Sequence, residues 1–291
     1  VLLISKFAIG IAAAVALVGE AGAQPADRDQ AWVLGLAGQV DEHSSDSLLA
    51  TINWGVTPST WLSFTAGRSS SPADRADIEA DTFVASIDQR FDKLGFTFEV
   101  ERWGDPDSLE TEDLRGSVYF DRERWRVDLA YETRDLEIPF TLTGPLGNTL
   151  RRTAETSGDS FGVDLRVNLN ELWRLYLGAT EYDYEGRRAL LLIPRIDRLN
   201  LLSTSTLTLA NSLIDHERSV GVERDIGRMV FNLRFTTDES AVDGTTFETT
   251  DAALLVPAGP RMDVEVNVGR GRSELAESGW YAGVLLLIYG G

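Results

Sequence analysis

The stretch Asp113–Leu136, DLRGSVYFDRERWRVDLAYETRDL, restricts the possible folds of this chain more than any other. Leu114, Gly116, Val118 and Phe120 alternate with Arg115, Ser117, Tyr119 and Asp121. After a short polar turn at Arg122–Arg124, Trp125, Val127, Leu129 and Tyr131 alternate with Arg126, Asp128, Ala130 and Glu132. Side chains on a strand leave opposite faces with period two, so this is a β-hairpin with one apolar and one charged face. A water-soluble sandwich would bury the apolar face against a second sheet. A transmembrane barrel would turn it to lipid and keep the charged face for its lumen. The hairpin alone fits both.

The rest of the chain separates them. From Gln30 onward the pattern predicts strands at Gln30–Gly38, Ser47–Gly55, Thr60–Ser69, Ala80–Phe91, Leu94–Trp103, Asp113–Asp121 and Trp125–Leu136. Seven more follow at Ser160–Leu169, Trp173–Tyr184, Glu217–Arg224, Met229–Asp238, Thr245–Val256, Met262–Arg270 and Gly279–Tyr289. That makes about fourteen, each near the roughly 9–11 residues of a tilted membrane strand. Short and long connections alternate between them. The short ones are Val56–Ser59, Asp92-Lys93, Arg122–Arg124, Asn170–Leu172, Asp225–Arg228 and Pro257–Arg261. The long ones are Gln39–Asp46, Ser70–Glu79, Gly104–Glu112, Glu137–Asp159, Glu185–His216, Glu239–Gly244 and Gly271–Ser278. In an up-and-down barrel every second connection lies on one rim, with short periplasmic turns and long external loops. A Greek-key sandwich has no reason to sort its connections this way.

Aromatic residues supply an independent signal. Trp54, Phe91, Phe120, Trp125 and Trp173 all lie beside short turns on the apolar parity of their strands, as a girdle at a lipid–water interface requires. Trp280, Tyr281, Tyr131 and Trp32 are candidates for the opposite girdle. Parity is sharpest where Met262, Val264, Val266 and Val268 interleave with Asp263, Glu265, Asn267 and Gly269, and where Phe161, Val163, Leu165 and Val167 interleave with Gly162, Asp164, Arg166 and Asn168. A one-residue slip there would turn charges into lipid.

Lys6, the apolar run Phe7–Val18 and the Ala21-Gly22-Ala23 site form the three parts of a secretory signal peptide. Residues 1–23 are accordingly expected to be that signal, and 24–291 a single barrel domain. A net charge of −19 argues against a nucleic-acid partner, whose phosphates need a basic surface. With no cysteine, the chain has no disulfide, thiol nucleophile or Cys-based metal site.

Signal, sorted loops, girdle and a closing apolar strand ending in Tyr289 together resemble bacterial outer-membrane β-barrel proteins of porin-like type. Gly290 and Gly291 follow the aromatic that usually ends such chains, a departure from the class. The resemblance implies a closed antiparallel up-and-down transmembrane barrel in the outer membrane of a Gram-negative bacterium. Its partners would be outer-membrane lipid, the barrel-assembly machinery and small solutes, with no cofactor and no metal.

On the assigned parity the lumen receives Arg90, Arg115, Arg126, Arg134, Arg166, Arg174 and Arg234. Against these stand Asp88, Glu99, Glu101, Asp121, Asp128, Glu132, Asp164, Asp263 and Glu265. Two arrangements stay open: opposed arcs of charge that set a transverse field and tune ion selectivity, or cross-strand pairs that stabilise the wall. The pore-lining set expected is Arg90, Glu99, Glu101, Arg115, Arg126, Asp128, Glu132, Asp164, Arg166, Arg174, Arg234, Asp263 and Glu265. About fourteen strands make a barrel too wide for side chains alone to fill. The expected function is passive diffusion of small polar or ionic solutes, with Glu185–His216 narrowing the passage as an inward constriction, covering the outer mouth, or adding two strands. The competing class is a non-conducting envelope scaffold or surface-binding barrel. A third possibility, a lipid-processing hydrolase, would draw on His43 or His216 with Ser44, Ser45, Ser203 or Ser205, although a triad is defined by geometry and not by sequence proximity. The acidic stretches Asp74–Asp81 and Asp105–Asp113 read as solvated loops.

Overall fold

A computed structural model describes residues 31–42, 45–71, 78–105, 109–143, 149–185, 214–241, 244–273 and 278–290. Fourteen strands follow one another: β1 Trp32–Asp41, β2 Asp46–Thr57, β3 Thr60–Ser71, β4 Ile78–Phe91, β5 Leu94–Asp105, β6 Leu109–Arg122 and β7 Trp125–Thr143. The second half comprises β8 Thr149–Asn168, β9 Trp173–Tyr184, β10 Ile214–Ile226, β11 Met229–Ser240, β12 Thr246–Gly259, β13 Met262–Ser273 and β14 Gly279–Gly290. Each pairs antiparallel with its sequence neighbours, and β1 pairs with β14 from Trp32↔Gly290 to Asp41↔Tyr281, closing the barrel. Closure removes the unpaired edges that an open sheet would expose.

The period-two pattern sets which side faces out. On β5, Leu94, Phe96, Phe98 and Val100 stand on the outer surface, while Thr97, Glu99 and Glu101 line the interior. Val266 and Val163, together with Phe83 and Phe161, are likewise on the outside. Phe83 and Phe161 are each 56% exposed in the isolated chain, and the large apolar residues on the surface far outnumber those buried. An apolar outer face of this extent calls for hydrocarbon as its solvent.

Trp54, Phe91, Phe120, Trp125 and Trp173 sit on the outer parity beside the turns, and the Phe120 and Trp125 rings meet at 5.5 Å. Trp32 is in register with Trp54 and so lies on this turn-side rim, not the opposite one. Tyr281 points inward and is buried, because it follows the outward Trp280 and adjacent strand residues cannot share a face. Trp280 remains on the outer surface next to the loop side, whereas Tyr131, also outward, stands midway along the wall part of β7 and so is not in that girdle.

In place of a loop at 137–159, either plain or carrying a small hairpin of its own, β7 and β8 run on as one extended hairpin. Pairing runs on to Thr143↔Thr149, well past Glu110↔Glu137, the last pair with β6, and past Gly158↔Tyr184, the last pair with β9. A two-stranded arm thus continues beyond the wall. Pro139 and the Gly-rich tip suggested a loop; but β7 has lost one neighbour at that height, and an edge strand is the sheet context that accepts proline.

Close backbone approach explains Gly95. Tyr119 lies across it from β6, and a Cβ built on Gly95 would come within 2.1 Å of the ring. The ring cannot swing aside easily. Its hydroxyl donates to Asp88 at 3.1 Å, and the Arg126 guanidinium stacks on it at 3.9 Å. Gly95→Ala should therefore cost about 1–3 kcal/mol through overpacking, read as a lower urea midpoint for the folded, heat-modifiable band. Gly116→Ala is the control, because nothing stands within 4 Å of its Cβ position.

Candidate functional site

The strands enclose a cavity of about 2290 Å³. Arg90, Glu99, Glu101, Arg115, Arg126, Asp128, Glu132, Asp164, Arg166, Arg234, Asp263 and Glu265 border it. Arg174 shares the inward parity of Tyr176 on β9 and is ion-paired to Glu223, which borders the cavity, and to Asp225. Arg115 and Asp164 have accessible surface although they face inward, so the bore at their level has room for water.

Most arginines are held by carboxylates on their own strand, the next, or the next but one. Arg126 reaches Asp128 at 2.6 Å, and Arg90 reaches Asp121 at 3.2 Å. Arg134 pairs with Asp113 at 2.9 Å and with Glu132 at 3.1 Å, under the Tyr182 ring at 5.2 Å. On β9 and β10, Tyr176 donates to Glu223 at 2.8 Å while Arg166 approaches the Tyr176 ring at 5.5 Å. Such cross-strand pairs brace the wall. On β5–β7 acid and base interleave, Glu99 in register with Arg115 and Arg115 with Glu132, whereas the charges that β12 and β13 give the lining, Asp251, Asp263 and Glu265, are all carboxylates.

Several lumenal groups escaped the sequence reading. Asp113, expected in an acidic loop at its C-terminal end, is buried and inward, two residues from Arg115 on the same face. The expected strand Asp113–Asp121 begins on this residue, so period two already puts it on the face of Arg115; the acidic run 105–113 masks that assignment. Glu217, Glu223, Asp238 and Asp251 also border the cavity. Among the described residues lining it, carboxylates outnumber basic side chains sixteen to ten. Four consecutive strands, β14, β1, β2 and β3, contribute no charge to that lining; they present Leu285, Leu287, Val33, Leu49 and Trp61 among polar neutral residues.

His216 has Nδ1 3.1 Å from the Asp215 carboxylate and Nε2 3.8 Å from Glu181. Carboxylates therefore flank it, and the backbone N–H of Ser45 donates to Asp41 at 2.8 Å. His43, Ser44, Ser203 and Ser205 lie outside the described residues, as does most of the expected constriction loop, 186–213. No group of three or more metal-ligating side chains is assembled among the described residues.

Architecture and bore together define the class: a closed fourteen-stranded barrel of the outer-membrane type, apolar outside and charged within. Its fold matches that of the CymD monoaromatic hydrocarbon channel, with a TM-score of 0.56 at 9% identity over 90% of this chain and 89% of that one. Outer-membrane expressed OmpT of Vibrio cholerae matches with a TM-score of 0.50 at 11% identity, over 89% and 97% of the two chains. At such identities the likeness is one of fold. No protein-family model and no curated protein matches the chain in sequence.

Proposed function

We propose that this protein is a passive diffusion channel of a Gram-negative outer membrane, admitting small polar and ionic solutes. The observation that carries it is the bore of about 2290 Å³, lined by charged side chains inside a wall whose outer face is apolar. No residue performs covalent chemistry in this role; the lumenal charges bias which solutes enter. Carboxylates exceed basic groups in the lining, so cations should pass more readily than anions. Residues 1–23 act as the export signal, and the barrel-assembly machinery and membrane lipid are the partners of biogenesis. A mature outer-membrane protein beginning at Gln24 is the N-terminal sequence expected.

Planar bilayers test the reading. Steady steps of current and a reversal potential on the cation side of zero in a KCl gradient are expected. Silence across many insertions would return the protein to the scaffold or surface-binding class, which the β7–β8 arm beyond the wall also fits. Arg166→Glu changes the lumenal charge by two. At about 10 Å in water that is worth roughly 0.8 kcal/mol before salt screening. The potassium-to-chloride permeability ratio should accordingly rise about two- to fourfold.

A further inference from the structure

The lumen is not uniform around its circumference. Leu285, Leu287, Val33, Leu49 and Trp61 lie on consecutive strands from β14 through β1 and β2 to β3. The side chains of Leu285 and Leu287 close over Gly35, each 3.6 Å from the position of its missing Cβ, so an apolar patch crosses the barrel closure, its leucines packed low against the wall at 6% and 8% exposure beside Thr51. In a closed ring of fourteen strands, β1 stands seven places from β8 and so opposite it. The bore therefore has an uncharged, partly greasy side facing a charged side.

The margin of the stripe fixes the sign of the charge it would accompany. On β13, Asp263 is in register with Leu287, and Glu265 with Leu285. Both carboxylates border the cavity beside the leucines, and the Tyr289 hydroxyl donates to Asp263 at 2.8 Å. Across the bore, Arg126 is matched by Asp128, and Arg174 by Glu223 and Asp225, so those arginines offer little net attraction to an anion. At the turn end of the stripe, Trp61 presents an indole to the cavity, and an aromatic face attracts a quaternary ammonium group.

We infer that the solutes favoured by this bore are organic monocations with an apolar body, an aromatic or alkyl group carrying a substituted ammonium. The apolar part travels along the Val33–Leu49–Leu285–Leu287 stripe while the ammonium passes Asp263, Glu265 and Trp61. This inference rests on the channel reading and narrows it to a solute class.

Bi-ionic reversal potentials in planar bilayers test it, using the intact protein and three probes. They are benzyltrimethylammonium, N-methylglucammonium as a hydrophilic cation of similar bulk, and benzoate as an aromatic anion. Benzyltrimethylammonium should be severalfold more permeant than either of the others after correction for free mobility. The double variant L285N/L287N should bring its ratio to N-methylglucammonium towards one. Equal permeability of the two cations in the wild-type protein, or a preference for benzoate, overturns the inference while the potassium current leaves the channel reading standing. Absence of any current overturns both.

Discussion

Phe98→Arg should prevent stable assembly of the barrel, whereas Thr97→Arg, one residue away, should be tolerated. Phe98 sits midway along the outer row Leu94, Phe96, Phe98, Val100, and 43% of its surface is exposed in the isolated chain. An arginine at the hydrocarbon midplane costs about 2–4 kcal/mol, and the lost phenyl group removes further favourable contact with lipid. Thr97 faces the other way. Its hydroxyl donates to Asp88 at 3.0 Å, and Glu99 stands next on the same face. An arginine there enters water beside two carboxylates, so the change should stay below about 1 kcal/mol, as exposed ion pairs do. Refolding from urea into short-chain phosphatidylcholine vesicles, followed by the heat-modifiable gel shift, gives both numbers. Equal tolerance of the two variants would mean that the apolar face is not in lipid.

That contrast depends on parity, and parity was the most legible property of the chain. The ends of β9, Trp173 and Tyr184, and the starts of β3, β5, β7, β11, β13 and β14 lie where alternation and turn residues place them. Charged side chains on alternating strands were assignable to the interior because a face bearing arginine and aspartate cannot face hydrocarbon. Ends of strands were less legible. At Pro139 the local signal says loop, yet the pairing of Ile138↔Ala154 through Thr143↔Thr149 continues because β8 supplies a partner that no local pattern announces.

Partner choice was harder still. Arg134 finds Asp113 across the β6–β7 register, and Arg174 finds Glu223 across β9–β10, contacts set by alignment between strands and invisible to periodicity within one. The uncharged stripe was concealed for a different reason. Gly279–Gly290 is apolar on both parities, with Val284 outside and Leu285 and Leu287 inside. Alternation is silent where both faces are greasy. The register with β13, which sets Leu287 beside Asp263 and Leu285 beside Glu265, decides which row lines the bore.

Arg134→Gln should be the most damaging single change inside the lumen. The guanidinium grips Asp113 through two hydrogen bonds of 2.9 Å, from Nε and Nη2, and lies 3.1 Å from Glu132. Tyr182 covers it and stacks in turn on Tyr184 with ring centroids 6.2 Å apart. The side chains of Arg134, Asp113 and Glu132 are only 17%, 10% and 10% exposed, so bulk water solvates none of them fully. Removing the cation strands two carboxylates in a poorly hydrated site, a change that costs about 3–5 kcal/mol when a buried pair is broken. Neutralising the acids as well, in the triple variant R134Q/D113N/E132Q, should recover most of that loss, because the penalty belongs to the uncompensated charges and not to the missing arginine. Urea midpoints of the single and triple variants measure this coupling, which additivity would set to zero. A cost below about 1 kcal/mol for Arg134→Gln alone would mean that water reaches both carboxylates freely. The bore would then be open at this height, and the same variant should strengthen its preference for cations.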